Sequence, residues 1–346
     1  MKKWFWVVVI IIILIILAIG VFIFQKSKNN TGTQNSNFNQ NTNQDQVKKE
    51  DRLMQVYNGA AQDLTLENGI LSFLDTDKGK IIKFEDGQAK EFADFTNINK
   101  VFWGPDGSFL AQIKNGKTIS SKINYKNNHY DFPFQISNSC WLDQDYFISS
   151  ISSAEDTALW QNKADQPKNG TIVATIPGKT LRLVANSKKS LAALQEVTSP
   201  EELTGFKIFL VNPATKVATD FGQKASYWTL ASWSTDGSKL AYIDGAKLKV
   251  TDNKNQEKDI LPQEENLNFV WISQNELLVV QSKSEKGEIE VVKINTDSLN
   301  KTSLLTTNKI KEFDTEENVL FNQSKNEFYL MSQTDGKNSA IWKIKI

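Results

Sequence analysis

Residues 227–250 carry the clearest pattern in the chain: three short apolar or alternating runs separated by turn residues. Residues 239–243 are mostly apolar, as a strand covered on both faces should be. Residues 246–250 alternate Ala, Lys, Leu, Lys and Val, as a strand nearer a rim should. Thr235-Asp236-Gly237 and Asp244-Gly245 supply the positive φ that a two-residue hairpin turn needs. Three strands of this size cannot bury both of their faces alone, so the pattern predicts further units of the same kind.

Such units recur. Residues 101–111 match residues 231–241 at Trp, Asp, Gly, Ser, Leu and Ala without a gap, and Trp103 and Trp233 lie 130 positions apart. That spacing accommodates three units of about 43 residues. Trp141 and Trp271 each lead into an apolar strand at the same offset, and copies without the Trp centre near Thr65, Ala185 and Phe321. Anchors near 65, 103, 141, 185, 233, 271 and 321 make seven units, each followed by a β-rich tail. No long helical period interrupts them. The expected fold class is all-β: a β-propeller of residues 53–346 with seven blades, six or eight remaining open. The last unit offers only three strands, at 319–323, 327–333 and 339–346. Residues 53–57, Leu-Met-Gln-Val-Tyr, form an unemployed apolar strand that is expected to complete it and close the ring.

The runs Trp103-Gly-Pro-Asp-Gly-Ser-Phe-Leu-Ala and Trp233-Ser-Thr-Asp-Gly-Ser-Lys-Leu-Ala resemble TolB-type or WD-repeat-like propeller motifs. The motif is sharp in two units, degraded in two and nearly absent in three, and Thr235 stands where the pattern has proline. The resemblance implies that the Trp packs between blades and that the following turn makes the first hairpin. It also implies a habit of binding other molecules, and no chemistry.

Ahead of the repeats the pattern changes twice. Residues 4–24 hold twenty-one residues without a charge, from Trp4 to Phe24, enough as a helix for roughly 30 Å of bilayer core. This predicts an N-terminal transmembrane anchor over residues 1–25, with Trp4 and Trp6 in the interfacial belt. A cleaved signal peptide ending near Ala18-Ile19-Gly20 is the rival reading. Residues 26–52 are rich in Asn, Gln, Thr, Ser and Gly and are expected to form a flexible polar linker. Lys2 and Lys3 precede the apolar run, while Lys26 and Lys28 follow it. The charge rule therefore leans only slightly towards a single-pass membrane protein with its C-terminal domain outside the cytoplasm.

Composition narrows the function classes. Forty basic and forty acidic residues among 346 cancel, so no net charge draws the chain to nucleic acid. Cys140 is the one cysteine and His129 the one histidine, which removes disulfides, Cys-pair metal clusters and most triads. Cys140 reads as a small buried hydrophobe and His129 as a rim residue. Asp75-Thr76-Asp77-Lys78-Gly79 has the opening rhythm of a calcium loop but lacks the distal ligands, so it reads as a turn. Asp143 and Asp145 fall where Asp106-Gly107 lies elsewhere and also read as turn residues. No catalytic, cofactor-binding or metal-ligating residue is therefore assigned. The stretches before the Trp anchors are neutral or apolar but for Lys100.

The expectation is a non-catalytic protein-interaction or scaffold module of the cell envelope, bound to the bilayer through residues 4–24. Its partner would be another envelope protein or a cell-surface polymer. The loops 162–170 and 197–204 are the first choices for contact. The alternative is a propeller hydrolase or lyase acting on a glycan or peptide at the central channel.

Overall fold

The Asp-Gly turns that punctuate the sequence sit at two kinds of corner. Asp244-Gly245 joins Lys239–Asp244 to Lys247–Asp252 by a tight turn with Gly245 at φ 64°. The corner before it is longer than the two-residue turn expected. Five residues, 234–238, separate Ala231–Trp233 from Lys239–Asp244. Asp236 organises them: its Oδ1 accepts bonds from the Ser234 and Ser238 hydroxyls at 2.7 and 2.8 Å, and Gly237 takes φ 67°. The same corner in the earlier copy is a short 3-10 turn, Pro105–Gly107, with Asp106 itself at φ 57°.

The computed structural model describes residues 52–346 apart from 86, 93–94, 197–204, 225–229, 246, 253–255, 262–265, 284–286, 311, 314–318 and 334–338. The expected anchor, nearly all of the expected linker and the 197–204 loop lie outside the described residues. Among the described residues no helix is long and apolar enough to cross a membrane. Twenty-eight described strands form seven four-stranded antiparallel sheets, six of them built from consecutive strands.

These sheets are blades. Their innermost strands are Ala61–Glu67, Ile98–Trp103, Asn138–Trp141, Thr180–Ala185, Ala231–Trp233, Leu267–Trp271 and Leu320–Asn322, so all seven predicted anchor positions lie on inner strands. Each inner strand contacts the next, and the first contacts the seventh. The result is a seven-blade β-propeller. The buried apolar side chains sort into seven clusters, each shared by two neighbouring blades. Leu230, Leu248 and Phe269 meet between blades 5 and 6, for example, and Phe73, Met331 and Ile341 between blades 1 and 7. This explains the run Leu240-Ala241-Tyr242-Ile243, buried throughout: a second strand has a neighbouring blade on each face.

The ring closes as expected. Blade 7 has Leu320–Asn322, Glu327–Gln333 and Ser339–Lys345 from the C-terminal end of the chain, and its outer strand is Leu53–Gly59. That strand pairs antiparallel with the last one, Leu53 opposite Ile344 and Gly59 opposite Ser339. Tyr57 then ties it sideways to blade 1, its hydroxyl donating to Asp75 Oδ2 at 2.8 Å and its ring lying 4.5 Å from Phe73.

One expected loop is not a loop. Within 162–170, Asp156–Lys163 turns at Ala164-Asp165 straight into Gln166–Pro177, the outer strand of blade 3. Pro167 is tolerated because an edge strand can lack a ladder donor. Glycine at 170 leaves room for the Asn162 side chain, because a Cβ there would lie 2.1 Å from Asn162 Oδ1.

Candidate functional site

An innermost strand presents one unpaired backbone edge to the axis, and such an edge invites foreign pairing unless its polar groups are occupied. Here neighbouring blades occupy them. Trp141 Nε1 donates to Phe102 O at 3.2 Å, Trp233 Nε1 to Val184 O at 3.1 Å and Trp271 Nε1 to Ser232 O at 2.9 Å. Trp103 Nε1 donates likewise to Asp63 O. In three of these four bonds the acceptor lies one residue before the anchor of the preceding blade. The indole thus packs as a wedge and stitches one inner strand to the next, which gives physical content to the repeated Trp. Gly104 lets Trp141 lie flat against the backbone, since a Cβ at 104 would fall 2.4 Å from the indole.

The amides two residues before the anchors are capped by side-chain oxygens. Val101 N donates to Asp63 Oδ2 at 2.6 Å, Ser139 N to Asn138 Oδ1 at 3.0 Å and Phe269 N to Asn268 Oδ1 at 2.7 Å. Asn138 also donates through Nδ2 to Leu181 O of the next blade at 2.7 Å.

Within this stitched wall lies a cavity of about 810 Å³, lined by the inner strands of blades 1 to 4 and by Leu320 of blade 7. Among the described residues three charged ones reach its lining: Asp63, Lys100 and Arg182. Of these, only Lys100 stands out in the sequence. Asp63 lies beside a register shift between Gln62 and Thr65 that displaces blade 1 from the repeat. Arg182 sits three residues before Ala185 as Lys100 sits three before Trp103, but blade 4 has no Trp to reveal the equivalence.

The other singled-out residues lie elsewhere or carry structural duties. His129 is exposed on the outer strand Asn128–Phe132 of blade 2, its ring 4.6 Å from Phe95. Cys140 is half-buried on the inner strand of blade 3, between the cavity and the core shared with blade 4. Burial pushes its thiol up to about 12, against a small opposing effect of the Ala185 backbone, so it is protonated at neutral pH rather than a nucleophilic thiolate.

Asp75 and Asp77 belong to the corner between Ile70–Asp75 and Lys80–Glu85; Asp75 accepts from Lys78 N at 3.1 Å as well as from Tyr57. Asp143 caps its own turn, accepting from Asp145 N and Tyr146 N, both at 2.8 Å, and pairs with Lys189 of blade 4 at 2.5 Å. Burial raises the Asp143 pKa, but Lys189 and the two amides outweigh it and hold the carboxyl below its usual range. Asp145 is held low by the Tyr125 hydroxyl and by Lys126 at 3.2 Å. Among the described residues no three His, Cys, Asp or Glu side chains gather where a metal ion could be held.

No family model matches the sequence. No curated protein sequence matches it either. Solved structures do match in shape. The crystal structure of the tricorn protease aligns with a TM-score of 0.59 over 90% of this chain at 8% identity, the chain spanning 34% of that protein's length. The β-propeller domain of the Trilobed protease from Pyrococcus furiosus aligns at 0.57, with 11% identity, over 84% of this chain and 94% of that one. Oligogalacturonate lyase in complex with manganese aligns at 0.52, with 10% identity, over 83% of this chain and 98% of that one. At such identities the likeness concerns the fold alone. It does sharpen one contrast: the Pyrococcus domain is described as having an open velcro topology, whereas here the strand Leu53–Gly59 closes the ring.

Proposed function

We propose that this chain is a membrane-tethered, extracytoplasmic propeller that acts as a non-catalytic interaction module of the cell envelope. The observation that carries the reading is the use made of the groups an enzyme would need. Among the described residues the one carboxylate lining the cavity, Asp63, caps a backbone amide, the one histidine is on an outer strand, and burial raises the pKa of the one thiol. General acid–base or nucleophilic chemistry requires such groups within reach of one another. Residues 4–24 and 26–52 supply the anchor and tether in this reading. Confinement near the bilayer raises the effective concentration of a partner in the same membrane, so modest affinity suffices.

The outer edge of blade 3 offers a contact surface for a protein partner. Phe134 and Ile172 are 39% and 44% exposed, Phe134 lies 5.8 Å from the Trp160 ring, and Ile172 stands opposite Trp160 across the ladder. Exposed apolar groups gathered at one edge mark interaction sites more often than scattered ones. Crosslinking of the chain in its native membrane, followed by extraction, tests this. The double substitution Phe134→Ser and Ile172→Thr is expected to remove a crosslinked neighbour while the chain still folds. An unchanged crosslinking pattern would count against the surface.

The alternative, a hydrolase or lyase acting on a glycan or peptide in the channel, has one observation in its favour: Asp63, Lys100 and Arg182 do line that cavity. Turnover of such a substrate by the purified chain, abolished by Asp63→Asn in a variant that still folds, would replace the module reading.

A further inference from the structure

Three successive inner strands carry polar groups on one rung. Lys100, Asn138 and Arg182 each stand three residues before their anchor, and the pairing confirms the equivalence. Lys100 lies opposite Gln112, Asn138 opposite Ser150 and Arg182 opposite Leu194. The anchors Trp103, Trp141 and Ala185 lie opposite Phe109, Phe147 and Leu191. Equal spacing on both strands puts the three side chains at one height on neighbouring blades. All three line the cavity. The same rung in blades 5 and 6 carries Leu230 and Asn268, neither of them charged, so the two cations stand on the arc formed by blades 2 to 4.

That arc is cationic. Among the described residues the lining holds two cations against one carboxylate, and that carboxylate accepts from the Val101 amide. Arg182 makes further contacts within the protein. Among the described residues Lys100 makes no ion pair; its ammonium lies 5.0 Å from the centroid of Phe102, two residues along the same strand. A cation over a ring face in a half-enclosed space would gain further from a carboxylate there, through charge-assisted hydrogen bonds. The rest of the lining includes Val101, Phe102, Leu183 and Leu320, all apolar. The volume lies within the range of sites for small ligands.

We infer that the Lys100–Asn138–Arg182 arc is an anion-recognition site that takes the carboxylate of a small ligand with an apolar body, such as a peptide C-terminus or a compact organic acid. The site goes beyond the module reading, because it requires neither the tether nor a neighbour on the blade 3 rim. Lys100 and Arg182 hold the carboxylate, Asn138 ties blade 3 to the Arg182 strand through Leu181 O, and the apolar lining covers the body.

Titration calorimetry on the detergent-solubilised full chain tests the site with two probe pairs: acetyl-Ala-Ala-Leu against its C-terminal amide, and benzoate against benzamide. The acid of at least one pair is expected to bind at least tenfold more tightly than its neutral partner, and more weakly as salt is raised. Binding of the peptide acid points to a chain end as the source of the carboxylate, and binding of benzoate alone to a small acid. Lys100→Gln should weaken acid binding at least tenfold, Lys100→Arg should retain it, and neither should alter the neutral probes. Arg182→Gln should act like Lys100→Gln, but because Arg182 has other contacts the Lys100 variants are the deciding ones. Equal binding of acid and neutral probes in both pairs, no binding of any probe, or unchanged acid binding by Lys100→Gln would overturn the site. Recovery of cleaved peptide would leave the site standing and contradict the non-catalytic reading instead.

Discussion

Tyr57 is the side-chain bolt of the ring, and Tyr57→Phe removes the bolt while leaving the strand and the aromatic ring in place. Its hydroxyl donates to Asp75 Oδ2 at 2.8 Å, and Asp75 is 2% exposed. The remaining partners of that carboxylate are Lys78 N at 3.1 Å and Lys78 Nζ at 3.3 Å, so it is not stranded when the hydroxyl goes. Loss of one hydrogen bond to a charged, buried acceptor costs about 1.5–3 kcal/mol. A chain of this size moves by about 2 °C per kcal/mol, the lower end of the usual range, so the melting point should fall by about 3–6 °C.

The pH dependence is a second reading of the same bond. Burial first, then the Asp75 bond and charge, raise the Tyr57 hydroxyl well above its ordinary pKa of 10.0. A group whose folded pKa is raised stabilises fully below its unfolded pKa and loses that stabilisation as pH rises towards the folded value. Stability should therefore fall above about pH 10, and less steeply in Tyr57→Phe. Some slope should remain, because Tyr242 and Tyr329 are raised by burial as well. The assay is thermal unfolding followed by circular dichroism between pH 7 and pH 11. A Tyr57→Phe protein that melts within 1 °C of the parent, with the same alkaline slope, would refute the reasoning.

Trp271→Phe keeps a ring in the wedge but leaves Ser232 O without its 2.9 Å donor, and equilibrium denaturation should show a loss of about 1–3 kcal/mol from that carbonyl alone. Gly104→Ala drives a methyl to 2.4 Å from the Trp141 indole, an overpacking that costs about 1–3 kcal/mol and should shift the Trp fluorescence. Asp236 has its pKa lowered to about 2 by the Ser234 and Ser238 hydroxyls. A depressed carboxyl stabilises above its unfolded pKa and loses that as pH falls, so Asp236→Asn should melt lower at pH 6 yet lose less on going from pH 5 to pH 2.

The blade count is readable in the sequence because one constraint repeats: in four blades the inner strand ends in a Trp that wedges against the preceding blade, and a corner follows. Trp103, Trp141, Trp233 and Trp271 make that constraint visible, and their spacing places Thr65, Ala185 and Phe321 as well. Closure is readable by subtraction, since residues 53–57 have no other use. The cavity is less readable. Arg182 is hidden because Ala185 gives no cue to register, and Asp63 because a bulge offsets blade 1. The 162–170 stretch suggests a loop because Pro167, Asn169 and Gly170 are turn residues by local preference, whereas an outer edge strand can hold all three. The five-residue corners pass for two-residue turns because Asp-Gly is the signature of both, and only the hydroxyls of Ser234 and Ser238 around Asp236 distinguish them.

Every wedge, stitch and cavity residue depends on the ring being closed by the strand Leu53–Gly59. The most direct test compares the thermal unfolding of two truncations, one lacking residues 1–48 and one lacking residues 1–58. The first should melt with the full chain. The second loses the outer strand of blade 7 together with Tyr57, and should melt well below it. Coincident melting of the two truncations would contradict the closed ring.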